Sequence, residues 1–584
     1  MVNGYEIEDV VSLSAEELDK LFDIGIALSA EQDMDVLLER ILTTAQEFCY
    51  AEGGTLYLMD QENNQLVFSV LRNDKLGIKM GGTSDKKKVP FPPLYLYNPE
   101  TKEPNYSNVS TYAALTEQIV NIKDAYDPTM RFDFSGTHKF DQKSGYRSQS
   151  FLTVPLKTRT GQVVAVLQLI NACTPVGETI PFSKSMQKLV EALASHAAVA
   201  IDNQLLMRSQ KNVLEAFLEV IARAIDDKSP YTGAHCQRVP VIARMMALAA
   251  VMEQEGEFKD FEMSEDEWYA FHLASWMHDC GKVVTPEYVL DKATKLETIN
   301  NRIHEIRARF EILRRDAHID YLKKRLANTA PKEHLLTEFN ARVKKLEDDF
   351  AFLAESNVGY NVLSEDDVRR IHEIGQQTYH RYFDKTLGLS WDEAERIKNN
   401  LPPKTNPHEP LLEDRTDHVF GGYNRGELYN LSIPRGTLTA EESAKVHSHI
   451  DMTIEMLSSI PFPSHIKNVV EYAAGHHEHM DGSGFPNQLT RHQMSVPARI
   501  LGLADVFEAL SSTDRPYKKI KKISEIISIM SDMAKNGHLD PELFNLLLTS
   551  GVYREYAEQY MKEEQLDDID INQFLVASAK GAEK

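Results

Sequence analysis

Cysteine is scarce in this chain of 584 residues: Cys49, Cys173, Cys236 and Cys280 stand alone, too scattered for a zinc knuckle and too few for a secreted disulfide scaffold. A reducing cytoplasm is the expected home. Long apolar runs are also missing, and the N-terminus, Met1 to Asp19, lacks the basic start and apolar core of a secretory signal. No membrane association is expected. Basic residues are in deficit, 64 Lys and Arg against 88 Asp and Glu, a formal net charge of −24. That balance repels phosphate backbones, which argues against general binding to a nucleic acid polymer or an anionic membrane. A small anionic substrate needs only a local basic pocket. The length exceeds one ordinary core, so two or three domains are expected.

From Leu18 to Phe48 apolar residues recur at helical spacing, and Gly54–Met59 and Leu66–Leu71 then switch to strand-like runs around a polar turn. Further strands are expected at Ser150–Leu156 and Val163–Ile170. An α+β domain of sensor size is therefore expected over residues 15–182. Ser183 can cap a connecting helix over 183–225, whose apolar positions Met186, Leu189, Val190, Leu193, Ala197 and Ile201 step by three or four. Such a stripe can be buried against a twin in a homodimer or against its own domain. Beyond it the chain reads as helical, with motif-bearing segments inside 206–535, a helical insert over about 300–430 and an acidic helical tail over 536–584. Within the insert, Arg302 to Leu353 suggests a helical hairpin, with Ile306, Phe310 and Leu313 on its apolar face.

Against that background a set of metal-ligating side chains stands out. His278-Asp279 is followed by His449, by His476-His477 and by Asp505 in Leu503-Ala-Asp-Val-Phe507, and His235 precedes it in Tyr231-Thr-Gly-Ala-His235. Imidazole and carboxylate together suit divalent metals of the iron or manganese kind. A lone helical histidine is far more often incidental, and His304, His318, His372 and His492 are read that way. Lys282, one turn beyond Asp279, can reach a nonbridging phosphate oxygen, or is simply an exposed helix-end lysine. Arg515 and Lys518 can hold a second phosphate, or belong to a solvated basic run ending at Lys522. Gly482, Gly484 and Pro486 fix a tight turn near the histidine pair, which lets backbone approach substrate or merely connects helices.

The second half resembles the HD-GYP family of metal-dependent phosphohydrolases. The resemblance rests on Tyr231 to Val239, Met277-His-Asp-Cys-Gly-Lys282, Gly436 to Glu442 leading to His449, His476 to Pro486, and Leu503-Ala-Asp505 with Asp514-Arg-Pro-Tyr-Lys518. It implies two divalent ions held by His235, His278, Asp279, His449, His476, His477 and Asp505, with Asp279 as the bridge. It further implies hydrolysis of cyclic di-GMP to the linear dinucleotide, and the chemistry of the residues then gives Asp279 and Lys282 catalytic roles and Lys282, Gly484, Pro486, Arg515 and Lys518 substrate contacts. Another cyclic nucleotide as substrate, or a receptor that binds without turnover, are the competing readings. Three departures stand out: Phe485 replaces the signature tyrosine, Tyr231 stands where three-metal members carry Glu, and the insert of about 130 residues splits a normally short segment. The first half resembles a GAF domain of the cyclic-nucleotide-phosphodiesterase kind, on Asn121–Tyr126, Phe140–Arg147 and Gln162–Asn171. That implies a possible small ligand such as a cyclic nucleotide, or dimerisation alone. Cys49 and Cys173 read as small core residues.

Overall fold

The computed structural model of the protein describes residues 15–83, 89–174, 176–228, 235–384, 387–397, 408–415, 418–512 and 520–577. Two units divide the chain, residues 1–214 and 215–584.

The first unit opens with α1 (Ala15–Ala30) and α2 (Met34–Cys49). Asp33 starts α2 by accepting the N–H groups of Asp35 and Val36, donors that a helix start otherwise leaves open. The sheet strands are β1 (Gly53–Asp60), β2 (Gln65–Asn73), β3 (Ile78–Gly81), β4 (Leu94–Tyr95), β5 (Val120–Ile122), β6 (Phe151–Lys157) and β7 (Val163–Ile170). Helices α3 (Val109–Thr116) and α4 (Ser135–Ser144) lie between them, and β8 (Ala172–Cys173) pairs with β9 (Thr179–Ile180). The antiparallel order is β3-β2-β1-β7-β6-β5, with β4 added to β2. The four runs expected as strands are β1, β2, β6 and β7.

Alternation along these strands sends Leu56, Leu152, Val154 and Leu167 to one face, where they meet Leu38, Ile41 and Leu42 of α2. The first half of α5 (Lys184–Asp226) joins this core through Val190, Leu193, Ala197 and Ile201. Each such buried valine, leucine or isoleucine contributes roughly 1.5–3 kcal/mol. Ser183 Oγ accepts the Met186 N–H at 3.2 Å and so caps α5. Cys49 sits in the same core, and burial pushes its thiol up to about 12. The other face of the sheet borders a cavity of about 410 Å³, lined among others by Phe68, Phe91, Phe140, Phe151 and Ile170.

The second unit is helical: α6 (His235–Met252), α7 (Glu265–Met277), a 3-10 turn at Cys280–Val284 and α8 (Glu287–Leu290). The insert follows as α9 (Ile303–Leu326), α10 (Lys332–Val358), α11 (Glu365–Gly375), β10 (Thr378–His380), α12 (Trp391–Ile397), β11 (His408–Pro410), β12 (Val419–Phe420), β13 (Tyr423–Asn424) and α13 (Glu427–Leu431). Helices α9 and α10 are the expected hairpin. Ile306, Phe310 and Leu313 pack with Leu346, Leu353, Ile371 and Leu412 into a core of the insert's own. Two short antiparallel strand pairs accompany the helices, β10 with β11 and β12 with β13.

The chain then returns through α14 (Ala440–His447), α15 (His449–Ser459), α16 (Val469–Ala474), α17 (Val496–Ser511), α18 (Ile523–Lys535), α19 (Pro541–Thr549) and α20 (Val552–Tyr560). The expected tail is part of this body: Leu543, Phe544 and Leu547 are fully buried, and Asp540 both caps α19 and pairs with Arg491 and Arg499.

Where the insert leaves and rejoins its host, Lys295 is fully buried, and its ammonium donates to the carbonyls of Leu431 at 3.2 Å and Ile433 at 2.6 Å. Burial pushes it from the ordinary 10.5 down to about 8. The unfolded chain therefore holds this proton more tightly, so the stability is missing below pH 8 and is gained as pH rises from about 8 towards 10.5. Urea midpoints of the full chain across that window should rise more steeply for the parent than for Lys295→Met. Parallel curves would refute the assignment.

Candidate metal centre

Five short segments build the site. His235 opens α6, His278 and Asp279 follow α7 directly, His449 opens α15, His476 and His477 follow α16 in a 3-10 turn, and Asp505 lies within α17. Ser264 starts α7 with a capping box to Glu267, and Ser495 starts α17 by accepting the Ala498 N–H. The close fit behind Asp279 depends on Gly281: a Cβ there would lie 1.9 Å from the carbonyl oxygen of His449. Only glycine lets the turn after His278-Asp279 touch the start of α15.

The seven sequence-selected side chains converge. Two sets of donor atoms form, Asp279 with His449, His476 and His477, and Asp279 with His235, His278 and Asp505, each spanning no more than 4.8 Å. Asp279 belongs to both through different oxygens. Its Oδ1 lies 3.3 Å from His449 Nε2 and 3.9 Å from His476 Nε2, while its Oδ2 lies 3.3 Å from both His235 Nε2 and His278 Nε2. Asp505 Oδ1 stands 3.1 Å from His235 Nε2 and 3.7 Å from His278 Nε2. Lys282 pairs with Asp279 Oδ2.

The imidazoles are pre-oriented. The Nδ1 of His278 bonds to the Ser275 carbonyl at 2.8 Å, that of His476 to the Ala473 carbonyl at 2.6 Å, and that of His449 to the Val446 carbonyl. Each bond commits the Nδ1 proton to backbone and turns Nε2 inward. His278 Nε2, His476 Nε2 and Asp279 Oδ1 are buried and make no hydrogen bond. Buried polar atoms left without partners are costly, and cations held in the two donor sets are partners that would satisfy them. The donor set therefore fits divalent ions, with imidazole and carboxylate nearly balanced.

Charge is distributed unevenly. Burial alone would lower the pKa of His235, yet Asp279, Asp505 and Glu508 hold it well above the ordinary histidine value. Against the same burial, Asp279 and Asp505 raise His278 to about 9. Burial and the neighbouring His477 and His278 push His476 far down, and burial takes His477 to about 4. His476 and His477 are thus held neutral, the form in which imidazole offers a lone pair, whereas the carboxylates around His235 and His278 favour their charged form, so a cation there would compete with protons.

Around the cluster, Phe485 stacks on His477 at 4.9 Å between ring centroids and on His447 at 4.5 Å. The ring packing expected of this position is present without the hydroxyl. Gly484 is buried, and a Cβ on it would lie 2.3 Å from the backbone nitrogen of His479, so packing of the turn fixes its identity. Pro486 follows in the same turn after a cis peptide bond. Arg515, Lys518 and Tyr231 lie outside the described residues. Sequence reasoning missed Glu508: buried and one turn beyond Asp505, it meets His235 Nδ1 and accepts from Arg238 Nε at 2.6 Å. Its spacing of three from Asp505 places both on one helix face, the signal that was available.

Residues 33–201 match the GAF domain family model and residues 422–543 the HD domain model. The chain carries a GAF domain and an HD domain. The HD match holds His449, His476, His477 and Asp505, while His235, His278 and Asp279 precede it on the other side of the insert. A 3′3′-cGAMP-specific phosphodiesterase 1 of Vibrio cholerae is 39% identical over 80 residues, 14% of this chain and 18% of that protein. A cyclic di-GMP phosphodiesterase of Pseudomonas aeruginosa is 37% identical over 119 residues, 20% of this chain and 28% of that one. The chain thus spans less than a third of either relative. The crystal structure of the GAF domain of an Acinetobacter phosphoenolpyruvate-protein phosphotransferase aligns with a TM-score of 0.23 at 17% identity, covering 33% of this chain and 95% of that one. Among the described residues, no helix is long and apolar enough to cross a membrane.

Proposed function

We propose that the protein is a metal-dependent phosphodiesterase that opens cyclic di-GMP to the linear dinucleotide. The supporting observation is the division of the Asp279 oxygens between two donor sets, an arrangement suited to two divalent ions, iron or manganese by ligand chemistry. When bound, such ions would supply Lewis-acid stabilisation of the phosphoryl oxygens and an activated water. The chain's own residues do the rest. The backbone carbonyls behind His278, His449 and His476 hold the ligand rings in place. Lys282, beside Asp279 and partly exposed, offers an ammonium to a nonbridging oxygen of the substrate. Arg515 and Lys518 are assigned to the second phosphate, and Gly484 and Pro486 to substrate contact from the turn after His476-His477.

A second cyclic dinucleotide, 3′3′-cGAMP, has support from the name of the Vibrio cholerae relative. Incubating the metal-loaded full chain with each dinucleotide and resolving the products separates the two. Linear product from cyclic di-GMP at the higher kcat/KM supports the reading, preference for 3′3′-cGAMP reassigns the substrate, and turnover of neither refutes it.

The GAF cavity is assigned a regulatory small ligand, transmitted along α5. The same helix carries exposed Leu206, Val213, Phe217 and Val220, spaced as one a/d seam, with Gln210 among them. The protein is accordingly proposed to be a homodimer joined along this seam in the cytoplasm. Sedimentation should show a dimer for the parent and a monomer for Phe217→Asp; a monomeric parent refutes it.

A further inference from the structure

We propose that Glu508 is a positioning residue that orients His235 and makes the two ion positions unequal. The inference rests on the metal reading above and adds a residue outside the ligand set. His278, His449 and His476 each commit Nδ1 to a neutral backbone carbonyl three residues earlier. His235, the first residue of α6, commits Nδ1 to the carboxylate of Glu508 instead.

That carboxylate is built in. Glu508 is 1% exposed, and its second oxygen accepts from Arg238 Nε at 2.6 Å, while another Arg238 nitrogen reaches Ser512 Oγ at 3.2 Å. Arg238 lies three residues after His235 on α6, and Glu508 three after Asp505 on α17, so two ligands and their orienting groups sit on facing helices. A carboxylate draws the imidazole proton more strongly than a carbonyl does, which fixes the tautomer and enriches the opposite nitrogen as a donor. His235 Nε2 points at Asp279 Oδ2 and Asp505 Oδ1, so the enrichment falls on the set with His278 and Asp505. His449 and His476 in the other set are oriented by backbone alone.

Anaerobic equilibrium dialysis of the full-length protein against Mn²⁺, with manganese quantified per chain, tests this. The parent should bind two ions, and Glu508→Gln, which preserves shape, should weaken one of them by roughly 10- to 100-fold and leave the other unchanged. Electron paramagnetic resonance at intermediate Mn²⁺ should then show an isolated ion in the variant where the parent shows a coupled pair. The double variant Glu508→Gln with Arg238→Gln removes both charges of this pair, and it should weaken the same ion. Two unchanged affinities, or equal weakening of both, overturns the role of Glu508 while leaving the centre standing. A parent that binds fewer than two ions overturns the two-ion centre and this inference with it.

Discussion

Asp279→Asn should lower cyclic dinucleotide hydrolysis by on the order of 10³-fold or more and reduce the bound divalent metal to one ion per chain or less. The size of the effect follows from the double membership of this one side chain. Its two oxygens face different histidine sets, and an amide keeps the shape while replacing one oxygen with a donor. The amide nitrogen would meet either His449 Nε2, 3.3 Å from Oδ1, or His235 and His278 Nε2, each 3.3 Å from Oδ2. It would repel a cation on that side. Lys282 would also lose the carboxylate with which it pairs. Turnover measured with metal content on the same sample decides the matter: a variant that keeps two ions and a rate within tenfold of the parent would falsify the bridging role.

Lys292→Met should destabilise the helical unit by about 3–5 kcal/mol. The Lys292 ammonium and the Glu442 carboxylate are both almost wholly buried, 1% and 5% exposed, and pair at 2.7 Å. Lys292 also donates to Asn430 Oδ1 at 3.1 Å, and Glu442 closes the capping box that starts α14, two residues before the helix that opens with His449. Burial lowers the Lys292 pKa and Glu442 opposes it, as expected of a charge that needs its partner. Removing the lysine alone strands a buried carboxylate. Replacing both, Lys292→Met with Glu442→Gln, should recover most of the loss, because the uncompensated charge disappears and the amide can still cap. Urea unfolding of the full chain gives the comparison, and a single variant within 1 kcal/mol of the parent would contradict it.

The site was legible because its chemistry is written in contiguous pairs. His278-Asp279 and His476-His477 are improbable by accident, and their segments needed no tertiary knowledge to be singled out. Convergence of His235 and Asp505 on the same point is a tertiary fact, and no local spacing reports it. Glu508 escaped because a single glutamate on a helix is usually solvated, and its spacing of three from Asp505 gains meaning only with its burial against His235 and Arg238. Gly484 drew attention as a candidate for substrate approach, whereas the structure explains it by the backbone of Glu478 and His479 pressed against it. In the first unit, short strand-like runs set off by polar turns identified β1, β2, β6 and β7. Strands of two or three residues, such as β4 and β10, are too short to show a period. The cavity there draws its lining from segments between Gly54 and Ile170, so no motif announces it.

The buried ammonium of Lys295 has a consequence for how this chain tolerates change. By touching the carbonyls of Leu431 and Ile433 it brings the two ends of a long excursion within one side chain's reach, and Thr437 Oγ1 donates to the Lys292 carbonyl at 3.0 Å just outside them. The cost of closing a loop grows only slowly with its length once the ends are pinned. The host therefore registers the position of the junction far more than the number of residues hung from it. Changes within the excursion that keep those carbonyls, and the Asn430 side chain that Lys292 reaches, leave the junction beside the His278-Asp279 and His449 turns intact.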